Sequence, residues 1–283
     1  MAGRFARSLA LARASWSVIR ADKELLWLPV LSVLALLLLL GSFVAPAVAL
    51  GAFEAAAAAG DPPTALALGT FVFYVLAYFV AIFFNTALVG AAMIRLDGGN
   101  PTLRDGLAIA WSRVGRIFGY AVIAATVGLL LRALEERVGW VGQLVVRLVG
   151  VAWTVATFLV VPVLVTRDVG PVDAVKESAS LLRATWGENL IGAVGLGLAF
   201  VAAYLVVFAV SGGFILLAIK AGLPVMIVAA LLLAVVALVV VSALQATMQG
   251  VYSAALYRYA TEPGRPFAGF TPELMEVAFK PKG

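Results

Sequence analysis

Apolar and polar positions alternate along this chain on two length scales. Long apolar runs are predicted as helices at about Leu25–Phe53, Leu66–Ile94, Arg116–Leu134, Gln143–Thr166, Leu190–Leu217 and Pro224–Tyr257. A membrane-spanning α-helix needs about 20 predominantly apolar residues, so each is a candidate span. Shorter stretches with helical spacing lie between them. Phe5, Leu9, Ala12, Trp16 and Ile19 make one stripe over residues 2–20, and Leu103, Leu107, Trp111 and Val114 make another over 102–114. Val172, Val175, Ala179, Leu182 and Trp186 make a third, spaced 3, 4, 3 and 4. Such spacing is an amphipathic helix. With Arg beside the stripe and Trp on it, each suits the membrane surface, rings at headgroup depth and guanidinium groups towards phosphate. Packing of the stripe against the rest of the protein is the alternative. The fold class expected is all-α: a polytopic membrane protein with six transmembrane helices.

Punctuation refines the spans. Pro46 is expected to kink or end the first, and Ser211-Gly212-Gly213 to interrupt the fifth. Pro162 in the fourth marks either a packing kink or a broken helix around a site. In the tail, Thr271 suits an N-cap, Pro272 the first helical position and Glu273 the helix N-terminus.

The two scales combine into a repeat. An interfacial helix, an outward span and an inward span closed by Arg recur over about 1–100, 101–169 and 170–262, within one membrane domain 1–283. The closing stretches are MIRLDGGNP, LVTRDVGP and LYRYATEPGRP, each with Arg at the edge and Pro soon after. Units that begin and end on one side are parallel repeats about an axis along the membrane normal, unlike the inverted repeats of many transporters. Residues 263–283 form a cytoplasmic C-terminal tail.

Charge sets the orientation. The chain is 64% hydrophobic and 12% charged, against about a quarter charged for a soluble domain. With six spans, sixteen of the 20 Lys and Arg fall on the side of the termini, three on the other, and Arg147 inside a span. That asymmetry is a positive-inside signal. It predicts a multi-pass protein of the bacterial cytoplasmic (inner) membrane, with both termini cytoplasmic. The net charge of +5 then reflects the anionic cytoplasmic leaflet. The expected partners are membrane lipids and a protein engaged through the cytoplasmic helices or tail, with no nucleic acid. Over twenty residues precede the first apolar run, which does not fit a cleavable signal peptide.

The chemistry is sparse. The chain has no His and no Cys, which removes disulfides, thiolate or imidazole metal sites and the common hydrolase triads. No Walker-type phosphate loop is present, and no carboxylate lies deep in a span, as a proton relay would need. Neither catalytic residues, metal nor cofactor are expected, and the protein is not expected to be an enzyme. The remaining candidates are polar residues within spans. Asn85 and Thr157 each lie ten residues before a closing Arg, Arg95 and Arg167. Gln249 lies nine before Arg258, with Thr86 beside Asn85 and Gln245 one turn from Gln249. Ten residues rise about 15 Å, roughly the bilayer midplane. This tier either lines a cavity or makes interhelical hydrogen bonds of about 0.6–2 kcal/mol each. Arg147 either snorkels, pairs with Glu135 or Glu136, or serves a gate. Arg4, Arg7, Arg13, Trp16, Arg95, Trp111, Arg167, Trp186 and Arg258 are candidate headgroup contacts.

The stretch GPVDAVKESASLLRATWGENLIG, through Gly170-Pro171, Ala174, Ser178, Leu182 and Trp186, resembles a feature of a broad group of bacterial membrane proteins. The group includes the membrane domain found beside glycerophosphodiester phosphodiesterases and several six-helix families of unknown function. SWSVIRADKELLWLPVLS is similar to one of those uncharacterised families. The resemblance implies a six-helix membrane fold. It implies no phosphodiesterase activity, since the soluble catalytic domain has no counterpart here. The function expected is a non-catalytic scaffold or partner subunit engaging lipids or another membrane protein. The alternative is a small transporter or lipid-handling protein with a cavity between hairpins that reaches Asn85, Gln245 and Gln249.

Overall fold

The computed structural model describes residues 13–52, 64–184, 189–262, 264–267 and 270. Phe5, Leu9, Ala12, Arg4, Arg7, Trp186 and the Thr271 cap lie outside them. Helix α1 covers 13–21. A 3-10 turn, Lys23–Leu26, leads into α2 (Trp27–Ala49), followed by α3 (Thr64–Leu96), α4 (Leu103–Ser112) and α5 (Val114–Arg137). Then come α6 (Trp140–Ala156), α7 (Val160–Thr166), α8 (Pro171–Ala184), α9 (Asn189–Lys220) and α10 (Pro224–Thr261). Among the described residues there is no β-strand, only an isolated bridge between Phe267 and Phe270.

Six stretches among the described residues are long and apolar enough to cross a membrane: Lys23–Ala49, Leu66–Leu96, Val114–Arg137, Trp140–Thr166, Ala199–Lys220 and Pro224–Thr261. Their apolar side chains stay on the outside, with Leu38, Val48, Leu205, Leu217 and Leu233 all exposed. A soluble monomer does not carry so much contiguous apolar surface. The chain is a multi-pass membrane protein. Its last helix has 38 residues. At 1.5 Å per residue it is about 57 Å long, more than the ~40–45 Å of a bilayer with its headgroups.

Two compact units divide the chain. One comprises residues 1–30, 91–103 and 184–283, the other 31–90 and 104–183. In the first, α9 packs along α10, and the 3-10 turn packs on α10. Its buried residues include Ala14, Val18, Ile19, Leu25 and Leu28 near the N-terminus, Ala91, Ala92 and Leu96 at the end of α3, and 251–257 of α10. Two acidic side chains organise the N-terminal part. Asp22 Oδ1 accepts from the Glu24 N–H at 3.2 Å and so caps the 3-10 turn. Glu24 Oε2 accepts from the Leu103 N–H at 2.9 Å, which satisfies one of the orphan donors at the start of α4.

In the second unit α5 packs against α6. Glycine permits two close approaches here. A Cβ on Gly90 of α3 would lie 2.9 Å from Ile109 Cγ2 of α4, and one on Gly119 of α5 would lie 3.1 Å from Pro171 Cγ of α8. Small residues let a neighbouring helix pack closely against a span. Aromatic contacts add to it: Phe79 meets Phe118 with centroids 5.8 Å apart, and Phe83 meets Trp111 at 6.0 Å.

The structure shows which side of each short helix is packed. On α8 the fully buried positions are Ala174, Ser178 and Leu182, while Val172 is exposed. On α4 they are Gly106 and Ala110, while Trp111 is 69% exposed. On α1 they are Ala14, Ser15, Val18 and Ile19, and Trp16 is exposed with the Arg20 guanidinium 5.9 Å above its ring. Hydrophobicity alone leaves open whether the bulky apolar side faces protein or membrane. Packing selects the small side, because it brings backbones closest. One correction concerns Ser211-Gly212-Gly213: α9 runs through these residues without interruption. Glycine weakens a helix partly by exposing its backbone to water, and in lipid there is no water to compete for those bonds. Pro46 lies inside α2, three residues before its end at Ala49.

Candidate functional site

The fourth span is broken. α6 ends at Ala156, α7 begins at Val160, and Thr157–Leu159 tighten between them, with Phe158 N–H bonding Val155 O at 3.1 Å and Val160 N–H bonding Thr157 O at 3.1 Å. Pro162 explains the position. Its ring has no N–H and clashes with the carbonyl four residues earlier, that of Phe158. The tighter bonds leave the Leu159 N–H and the Ala156 carbonyl without helical partners. Ser178 of α8 takes both. Its Oγ accepts from Leu159 N at 3.0 Å and donates to Ala156 O at 2.6 Å. Ser178 is fully buried, at 0% exposure. Thr157 donates to Trp153 O at 2.8 Å, and the Tyr120 side chain hydrogen-bonds it. A hydroxyl returned to the preceding turn bends a helix. Ser178 thus closes the two backbone groups that the break frees.

The second cluster lies in the other unit, at the ends of α3 and α10. Arg258 pairs with Asp97 and, at 2.6 Å, with Glu262. Arg265 reaches Glu262 at 2.5 Å and Asp97 at 3.6 Å. The Arg258 side chain is only 16% exposed. Arg95 instead donates to the Gly99 carbonyl at 3.0 Å, closing the loop after α3. A parallel cluster in the second unit joins Asp168 to Arg113 at 3.0 Å and to Arg116, while Arg167 pairs with Glu177 at 3.2 Å. The closing Arg residues and the acids after them therefore pair within the protein, and Arg258 in particular is not free to reach a headgroup.

Asp22 and Glu262 titrate in opposite senses. Burial pushes the Asp22 carboxyl up, against the Glu24 N–H and Arg95, and its Oδ2 has no hydrogen-bond partner. The Arg265 and Arg258 guanidinium groups pull Glu262 down. A folded-state value above the ordinary one means that the native chain holds the proton more tightly. Asp22 therefore detracts from stability as pH rises from its ordinary 3.8 through the higher folded value. Glu262 contributes above its ordinary 4.5, and that contribution is lost as pH falls through the lower folded value. Asp22→Asn, which can still cap the turn, is expected to melt higher than the parent near neutral pH. The gap should close as pH falls towards about 4. A gap that stays constant across a pH series of thermal melts would show that charge burial is not its cause.

The polar tier is largely engaged in local bonds. Thr86 is fully buried and donates to Ile82 O at 2.7 Å. Thr157 sits at the break. Gln245 Oε1 accepts from the Tyr204 hydroxyl at 2.8 Å, with Ser242 Oγ 3.1 Å from the same hydroxyl. Asn85 and Gln249 are exposed. Asn85, Thr86 and Thr157 belong to one unit, Gln245 and Gln249 to the other. Arg147 pairs with Glu135 at 2.8 Å, and Arg132 pairs with Glu136 at 3.1 Å and reaches the Tyr74 hydroxyl at 3.2 Å. An apolar crevice of about 530 Å³ opens between α9 and α10. None of the polar tier lines it. Arg13, Trp16, Trp111 and Arg167 are exposed. Among the described residues no group of His, Cys, Asp and Glu is arranged to hold a metal.

Sequence spacing did not single out Tyr204, Asp97 or Asp22, nor Ser178 as a clasp. A lone Tyr facing Ser and Gln in an apolar hairpin, and an acid beside each closing Arg, were the available signals.

No curated protein and no solved structure matches the chain. A family model does match, over residues 64–267. It supports the uncharacterised-family half of the resemblance and makes no link to the phosphodiesterase-associated membrane domain. Covering most of the six-span region, that match means that the chain belongs to the family of unknown function DUF6159.

Proposed function

We propose that the protein is a non-catalytic scaffold or partner subunit of the bacterial inner membrane, held in the cytoplasmic leaflet by α1, α4 and α8, with both termini cytoplasmic. The observation that carries this reading is the orientation of α4 and α8. Both turn small residues inward, Gly106 and Ala110 in one and Ala174 and Ser178, joined by Leu182, in the other, and leave the apolar side chains Trp111 and Val172 exposed. A helix at a water-exposed surface turns such side chains inward. One lying at the boundary of headgroups and acyl chains exposes them. The registers of two of the three helices agree with the parallel-repeat reading, in which each hairpin is led by an interfacial helix: Asp105-Gly106 and Asp173-Ala174 each place an acid in the first turn and a buried small residue next.

Single-Trp variants in vesicles of phosphatidylethanolamine and phosphatidylglycerol with chain-brominated lipid test this. Trp111 is expected to be strongly quenched. An unquenched Trp111 removes the interfacial placement. Mass spectrometry of what co-purifies in native lipid then identifies the partner. The transporter reading draws on the broken fourth span and on exposed Asn85 and Gln249. It predicts that reconstituted protein moves fluorescent lipid between leaflets, whereas a scaffold leaves the dithionite-accessible fraction unchanged.

A further inference from the structure

We infer that the α9–α10 hairpin carries a phospholipid site, with one acyl chain lying in the crevice between the helices and the phosphate at the turn that joins them. The inference deepens the lipid-engaging reading above and rests on it.

The hairpin is fastened at two places. At one end Ala221–Leu223 turn tightly, with Leu223 N–H bonding Ala218 O at 3.0 Å. Further down, the Tyr204 hydroxyl meets Gln245 Oε1 at 2.8 Å and Ser242 Oγ at 3.1 Å. Between them lies the crevice of about 530 Å³, bordered by Val206, Val210 and Phe214 on α9 and by Met226, Ala230 and Leu233 on α10. The small Ala229, Ala230 and Ala237 of α10 keep it open.

Three considerations select the occupant. Water needs two to four polar partners to settle in a cavity, and Ser211 is the only polar side chain on this wall. An empty groove forfeits dispersion contacts along its length, so hydrocarbon fills it. A second membrane helix is a poor match. From Val206 to Phe214 the groove runs about 12 Å of rise, well short of the ~30 Å of hydrocarbon that a spanning helix crosses. A single acyl chain is the slender apolar object that a bilayer supplies.

Charge places the headgroup. Lys220, in the last turn of α9, is the only charged residue from 199 to 257. No acid in the hairpin can neutralise it. It lies about 9 Å of helix rise beyond Phe214, at the same end as the N-terminus of α10, where Pro224 begins the helix and Met226 borders the crevice. Helix N-termini favour anions. A lipid phosphate between Lys220 and this terminus leaves one chain pointing down the crevice.

The full-length protein is reconstituted in nanodiscs of phosphatidylethanolamine and phosphatidylglycerol containing a phospholipid with an acyl-chain diazirine, irradiated, and mapped by peptide mass spectrometry. Adducts at Val206, Val210 and Leu233 are expected to exceed those at Leu205, Leu232 and Val236 about fivefold. These controls on the same helices are comparably exposed. Ala230→Leu with Ala237→Leu, which fills the crevice, should bring the lining positions down to the control level without lowering the melting temperature. Lys220→Gln should cut the excess about threefold. Equal adducts at lining and control positions overturn the site while leaving the hairpin in lipid. Adducts absent from both helices overturn the membrane placement itself. Crosslinks from the lining positions to a second copy of the chain overturn the acyl occupant.

Discussion

Replacing Ser178 with alanine is expected to destabilise the protein by about 3 kcal/mol, with a fall in apparent melting temperature of roughly 6–12 °C. The estimate comes from counting what one hydroxyl does. It accepts from Leu159 N and donates to Ala156 O, both freed by the tightened turn ahead of Pro162. Removing it leaves a donor and an acceptor unpaired in an environment without water, at about 1–3 kcal/mol each. Ser178→Thr keeps the hydroxyl and should recover much of the loss, less whatever its extra methyl displaces in a fully buried site. The sharper test uses Pro162→Ala. With an N–H restored at 162 and the ring removed, the fourth span can regain regular bonding, so Ser178→Ala should matter less in that background. The double-mutant cycle isolates this coupling. A loss under about 0.5 kcal/mol for Ser178→Ala alone would mean that the break is satisfied by something other than this clasp.

Much of the architecture was legible because membrane spans announce themselves by length and composition. The six apolar runs and the helices found agree to within a few residues at most ends. The sixth was read to Tyr257, for instance, and α10 runs to Thr261. The sides of the shorter helices were not legible by the same rule. The apolar stripe read on α8 is Val172, Val175, Ala179, Leu182 and Trp186; Leu182 also lies on the buried line with Ala174 and Ser178, while Val172 is exposed. Hydrophobicity separates the inner from the outer face only where the outer face meets water. The residues that carried the family resemblance make the same point: Pro171 sits over Gly119, and Ala174, Ser178 and Leu182 form the buried line. The motif reads as packing and hydrogen bonding, with no chemistry required of it.

The candidate site was legible only as a tally of polar residues at similar depth. Depth is a one-dimensional coordinate, and it does not say which way a side chain points. Thr86 turns back on its own helix at Ile82 O, Gln245 finds Tyr204 on the neighbouring helix, and Asn85 and Gln249 face outward. The break at Thr157–Leu159 was hidden for a related reason. Pro162 marks where a helix is disturbed, but the partner that makes the disturbance tolerable comes from 16 residues further along, at Ser178.

Arg258→Ala is expected to destabilise the protein by about 2–3 kcal/mol. The figure is lowered from the 3–5 typical of a fully buried pair because the carboxylates keep some access to solvent. Arg258 stands between two acids: one nitrogen serves Asp97 at the end of α3, another Glu262 just past α10, and its side chain is 16% exposed. Without it Asp97 and Glu262 confront each other with Arg265 as their remaining described partner. Arg258→Lys should recover little, because a single ammonium cannot present two separated donors in fixed directions. The neutralising double variant, Arg258→Met with Asp97→Asn, should sit closer to the parent than Arg258→Ala alone, since most of the loss is the charge left behind. The decisive reading is salt dependence. A merely superficial pair weakens as ionic strength rises to about 1 M, where the screening length is ~3 Å. A loss on Arg258→Ala that is as large in high salt as in low places this arginine in the fabric that ties the end of α3 to the end of α10; a loss that vanishes returns it to the surface.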